Sequence, residues 1–213
     1  MSSGVIDKDL LAKGLEALGL AHDAHTLDTF TCYAELLLKW NKVYNLTAIR
    51  RPEEVLTHHL LDSAALVPNI DTESDRILDV GCGGGLPSVP IAILRPDLQV
   101  TGIDAVGKKV AFVNQAAIEL GLKNLRAVHN RVEKLDGQWR LITSRAFASL
   151  PDFVSLTRSL LAPGGRWLAM KGILPEEEIR ALPVGVRVER IVPMIVPGLN
   201  ERRNLIVLVD EMQ

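Results

Sequence analysis

The residues best suited to chemistry lie between Asp79 and Pro90, where the sequence reads DVGCGGGLPSVP. Gly81, Gly83, Gly84 and Gly85 follow an apolar run and precede prolines. Glycine adopts backbone conformations that a Cβ forbids, and it lets the main chain come very close to a ligand or a neighbouring helix. A phosphate-binding loop would close on Gly-Lys-Ser/Thr, but Leu86-Pro87-Ser88 supplies no lysine. A dinucleotide turn G-x-G-x-x-G would need glycine where Leu86 stands. The spacing of Gly81, Gly83 and Gly85 fits G-x-G-x-G instead. Asp104 follows after about 20 residues, at the end of the next apolar run, where a carboxylate can accept hydrogen bonds from both ribose hydroxyls. Aspartate at such a position also commonly caps the following helix.

These residues need a frame to position them. The chain has 213 residues, 47% of them apolar, and a net charge of −2. That is the composition of a globular protein with a sizeable core, and it argues against coating nucleic acid by bulk charge. No apolar run approaches the length of a membrane span, and the start, MSSGVIDKDLLAKG, lacks a secretory pattern, so a cytoplasmic location is expected. Cys32 and Cys82 are the only cysteines, too few for a disulfide framework or a four-cysteine zinc site, and no metal is expected.

Residues 1–70 read as a helical N-terminal extension, with Leu11, Leu15 and Leu18, then Leu36, Trp40 and Val43, at helical spacings. Asn45 and Thr47 suit a turn, and Pro52 the first position of a further helix. Residues 71–213 alternate strands and helices, predicting an α/β domain. The expected strands are 76–80, 98–103, 125–129, 139–144, 165–171, 186–193 and 204–209. The expected helices are 87–95, 108–120, 152–161 and 175–181. The last two strands leave no room for a helix between them and should pair antiparallel at one end of a seven-stranded, mostly parallel sheet.

Asp79 followed by G-x-G-x-G resembles the S-adenosylmethionine site of Rossmann-like class I methyltransferases, whose cofactor carries no phosphate. The blocks KWNKVYNLTAIR, HHLLDS, ILDVGCGGGLPSVPIAILRPD, DAVGKKVAFV, SRAFASL and MKG are similar, in content and order, to the ribosomal RNA small subunit methyltransferase G family, also called glucose-inhibited division protein B. The likeness runs from about Lys39 to Lys171. It implies transfer of a methyl group from S-adenosylmethionine to N7 of one guanine in 16S ribosomal RNA, presented as RNA or within an assembling small subunit. By the same resemblance, Gly81 and Leu86 contact the donor, with Gly83 and Gly85 in the same loop. Asp104, Ala105 and Val106 line its ribose and adenine side, Val132 and Glu133 flank the adenine, and Arg145 belongs to the site. Ser88 departs from the glycine common in relatives.

Guanine N7 carries a lone pair and no proton, so no acid–base residue is assigned. His58, His59 and Asp62 cluster in sequence and are expected to support the junction between the two segments. Arg50, Arg51, Lys108, Lys109, Arg131, Lys171, Arg202 and Arg203 are candidate phosphate contacts. Two alternatives stay open: a methyltransferase of the same fold acting on a small molecule or protein, and a nucleotide-binding regulator without catalysis.

Overall fold

The computed structural model describes residues 5–212. Helix α1 (Lys8–Ala17) begins at Asp7, whose carboxylate accepts from the amides of Asp9 and Leu10. Helix α2 (Ala24–Tyr44) is capped in the same way by Asp23 and stops at Asn45, which takes a left-handed conformation with φ of 49°. Its buried stripe is Phe30, Tyr33, Ala34, Leu37 and Asn41. The expected stripe of Leu36, Trp40 and Val43 lies beside it, and Val43 is 71% exposed. Pro52 opens α3 (Pro52–Val55), as its fixed φ favours. The helix then runs as a π-helical segment, Leu56–Leu61, into α4 (Asp62–Ala64).

The alternating part follows the expected order: β1 (Arg76–Val80), α5 (Ser88–Leu94), β2 (Gln99–Asp104), α6 (Gly107–Glu119), β3 (Leu125–His129), β4 (Trp139–Arg145), α7 (Leu150–Thr157), β5 (Leu161–Lys171), α8 (Glu176–Arg180), β6 (Val186–Met194) and β7 (Arg203–Asp210). The expected helix 152–161 ends early, because Leu161 already pairs with Trp139 and β5 starts there instead of at residue 165. The sheet order is β3-β2-β1-β4-β5-β7-β6, with β7 antiparallel to both neighbours and the other pairs parallel. The last strand therefore inserts between β5 and β6.

Strand residues alternate between two cores. Ile77, Val100, Leu141 and Val207 join a cluster that also holds Leu11, Leu15, Phe30, Tyr33, Leu60, Ile91 and Phe112. Leu78, Ile103, Ile142 and Leu208 face a second cluster with Phe153, Val154 and Trp167. The N-terminal helices thus cover one face of the sheet together with α5 and α6, and α7 covers the other. Among the described residues no helix is long and apolar enough to cross a membrane.

Candidate active site

The glycine turn after β1 serves two surfaces at once. Gly81, Gly83 and Gly85 have φ of 73°, 55° and 83°, the left-handed region where a side chain is strained. The amides of Gly81 and Cys82 donate to the Ile103 carbonyl at 2.8 and 3.1 Å, tying the turn to the end of β2. A Cβ on Gly83 would meet nothing nearer than the Gly81 carbonyl at 3.8 Å. Gly84 and Gly85 differ: there a Cβ would lie 3.0 Å from Leu37 or 2.6 Å from Val89. Gly83 thus borders open space, Gly81 lies under the Phe147 ring, and Gly84 and Gly85 pack against α2 and α5.

Asp104 is 8% exposed and works as a clasp. Its Oδ2 accepts from the Gly83 amide at 3.0 Å, its Oδ1 from the Val106 amide at 2.8 Å, and Lys109 Nζ lies 3.8 Å away. It is not the N-cap of α6: Val106 holds that position, without a side-chain capping bond. Each carboxylate oxygen retains capacity for a further donor.

Two cavities open at the carboxyl ends of the parallel strands, the usual ligand side of such sheets. The larger, about 520 Å³, is lined by Gly81, Gly83, Gly84, Leu86, Lys109, Arg145, Lys171 and Arg203, with His58, His59 and Asp62 on its wall. The smaller, about 340 Å³, holds Asp104, Ala105, Arg131, Val132 and Glu133. They meet at Gly81, Lys109 and Ala146. Gly85, Val106, Arg50, Arg51, Lys108 and Arg202 line neither cavity. Sequence reasoning did not assign Leu46, Thr47, Ile49, Met170 and Phe147, which do. In the sequence the NLTAI stretch reads as a turn and as part of the family likeness, with no site role of its own. What places it is buried Asn41, whose side chain donates to the Ile49 carbonyl at 3.2 Å and accepts from the Thr47 amide at 2.9 Å.

Buried charge in the larger cavity is locked. Asp62 is 3% exposed, and it accepts from Arg145 at 2.8 Å through one oxygen and from Arg203 at 2.9 Å through the other. Arg145 also donates to the His58 carbonyl at 2.9 Å. The π-helical segment, the end of β4 and the start of β7 are thereby joined. His59 lies 3.0 Å through Nδ1 from the His58 carbonyl and 2.7 Å through Nε2 from the Thr47 hydroxyl. Burial, reinforced by the Arg145 charge, lowers its pKa to about 4, so the ring is neutral near pH 7. Below the turn, Asp79 is fully buried, and burial raises its pKa to about 6. Ser88 opposes that rise by donating to Asp79 Oδ2 from its amide, at 3.2 Å, and from its hydroxyl. Lys171 donates to the Ala148 carbonyl and to Glu178, both at 2.9 Å, and so braces the loop after β4. Among the described residues no group of three or more His, Cys, Asp and Glu side chains is placed to hold a metal ion.

The profile of a family described as rRNA small subunit methyltransferase G matches residues 26–207. The protein named Ribosomal RNA small subunit methyltransferase G from Ralstonia nicotianae is 52% identical over 207 residues, covering 93% of each chain. Its namesake from Neisseria meningitidis serogroup B is 50% identical over 202 residues, covering 94% of this chain and 97% of that protein. This chain belongs to the rRNA small subunit methyltransferase G family. Its fold is also that of the glycopeptide N-methyltransferase MtfA, solved with S-adenosylmethionine (TM-score 0.61, 14% identity, 71% of this chain and 94% of that one). Each of the blocks that carried the likeness to the methyltransferase G family contributes residues to the walls of the two cavities. NLTAI and the HH of HHLLDS line one side of the larger cavity, while the loop of SRAFASL places Ala146 between the cavities and Phe147 in the smaller.

Proposed function

We propose that this chain binds S-adenosylmethionine across the two cavities and transfers its methyl group to N7 of one guanine in 16S ribosomal RNA. The observation that carries the reading is the junction of the cavities at Gly81, with the Asp104 carboxylate on one side and the Arg145 wall on the other, in a member of this family. The residues suit the donor. Space is open over Gly83, the turn carries no cation, and Asp104 keeps acceptor capacity for ribose hydroxyls. In this assignment Asp104 and Ala105 hold the ribose, Val132 and Glu133 flank the adenine, and Gly81, Gly83 and Leu86 border the amino-acid arm. Arg145 shapes the wall on which that arm and the incoming base meet.

Bound there, S-adenosylmethionine supplies a methyl group made electrophilic by a positively charged sulfur. The N7 lone pair lies in the plane of guanine and bears no proton, so attack needs no general base. In this reading Asp62 and His59 have structural tasks, Asp62 holding two arginines and His59 engaging Thr47 and the His58 carbonyl. The protein's task is to align the base and exclude water, which is where proximity and desolvation act. A guanine in paired RNA does not offer N7 to such a pocket, so the target is locally open or extruded.

Methyl transfer from labelled S-adenosylmethionine to small-subunit RNA lacking the modification tests the reading, with naked RNA and assembling subunits compared. Label at N7 of a single guanine is expected, with a single-turnover rate nearly flat from about pH 6.5 to 8.5. Label only on protein or small molecules would overturn the RNA assignment. Donor binding without any transfer would point to a regulator.

A further inference from the structure

Tyr33 lies in the middle of α2, far in sequence from the glycine turn, yet its side chain ends there. The residue is fully buried, and its hydroxyl donates to the Gly84 carbonyl at 2.6 Å. Gly84 is itself buried, and on the next residue a Cβ would lie 3.4 Å from the same hydroxyl. One residue before Gly84, the Gly83 amide donates to Asp104. The two-residue segment is therefore held from opposite sides, by a carboxylate at the end of β2 and by a phenol from the N-terminal helices. Burial raises the Tyr33 pKa further above its usual value, so the hydroxyl keeps its proton and remains a donor at every pH where the protein would work.

We propose that Tyr33 is a positioning residue for the amino-acid arm of the methyl donor, fixing Gly83–Gly84 in the course that lets the arm lie against the turn. This rests on the donor assignment above. Gly83 and Gly84 line the larger cavity and not the one containing Asp104, Val132 and Glu133. The effect of Tyr33 therefore falls mainly on one end of the ligand, because Asp104, which shares the Gly83 amide, is also held by the Val106 amide. Without the hydroxyl, the buried Gly84 carbonyl loses its partner and the segment is free to shift, while Asp104 at the adenosine end keeps its bond from the Val106 amide.

Calorimetry on Tyr33→Phe with two ligands reads this out. S-adenosylhomocysteine has the amino-acid arm, and 5′-methylthioadenosine has the same adenosine with only a methyl on sulfur. The first should bind about tenfold more weakly than to wild type, the size expected when a buried acceptor is left unpaired, and the second within about twofold. Equal weakening of both ligands, or of neither, would overturn the proposal and leave Tyr33 as core packing. If Tyr33→Phe does not fold, a second measurement keeps the hydroxyl. The chain has two tyrosines, so Tyr44→Phe with fluorotyrosine incorporation labels position 33 alone. Its fluorine resonance should move on adding S-adenosylhomocysteine and stay in place with methylthioadenosine; the same response to both would sink the idea. A wild-type chain that binds neither ligand would overturn the donor assignment itself, and this proposal with it.

Discussion

At Gly81 a single methyl group decides whether the turn keeps its shape. A Cβ there would stand 2.6 Å from Phe147 Cδ2, at a φ of 73°. Gly81→Ala should therefore cost about 1 kcal/mol of stability from the left-handed backbone and push Phe147 into the smaller cavity. Calorimetry should show S-adenosylhomocysteine binding at least about tenfold weaker; a folded variant with native affinity would remove Gly81 from the site. Two titrating groups pull stability in opposite directions. His59 has a folded pKa of about 4, below the ordinary 6.5, so between those values the unfolded chain holds more protons and stability rises with pH. Asp79, at about 6 instead of 3.8, holds its proton better when folded, and its contribution is lost as pH rises through that window. Urea midpoints from pH 4 to 7 should keep only the falling component in His59→Gln and only the rising one in Asp79→Asn. Parallel curves for both variants would contradict these environments.

Among elements, the loops at the carboxyl edge of the sheet divide the candidate phosphate contacts into two kinds. Arg51 pairs with Glu54, Lys171 with Glu178, and Arg203 with Asp62 and Glu201, whereas Arg50, Lys108, Arg131 and Arg202 are exposed and form no ion pair among the described residues. Replacing each of these four by glutamine should weaken RNA binding and lower the slope of log affinity against log salt by about 0.7 to 0.9. Arg51→Gln and Lys171→Gln should alter it less. Anisotropy titrations at several salt concentrations measure this, and equal slopes across both groups would mean that pairing does not sort them. The strands and the turn were legible because apolar runs bounded by glycine and proline have few alternatives, and Asp104 was found by its distance from the glycines. The buried face of α2 was not. Phe30, Tyr33 and Leu37 and the chosen Leu36, Trp40 and Val43 both satisfy helical spacing, and only the sheet decides between them. Nor does HHLL announce a π-helical course; the segment is held through its tertiary bonds to Arg145 and Thr47.

For the molecule as a whole, the N-terminal helices and the sheet share one apolar cluster, in which Leu11, Phe30 and Leu60 meet Ile77 and Val207. Unfolding followed by tryptophan fluorescence and by far-ultraviolet circular dichroism should therefore give coincident curves. A chain of residues 71–213 alone, exposing that face, should aggregate or melt without cooperativity; a soluble, cooperatively folding product would show that the segments are separable units. The insertion of β7 between β5 and β6 bears on how the chain is made. Residues emerge from the ribosome in order, so every other strand is available before β7. Until then β5 presents an open edge and β6 has no neighbour at all. Arg203, which begins β7, is also the residue that closes on Asp62, 141 positions earlier. A nascent chain can lay down the glycine turn and the helices around it, but the wall of the larger cavity is completed only once β7 has emerged and Arg203 reaches Asp62. A copy halted before β7 therefore lacks the Asp62–Arg203 pair that closes this wall.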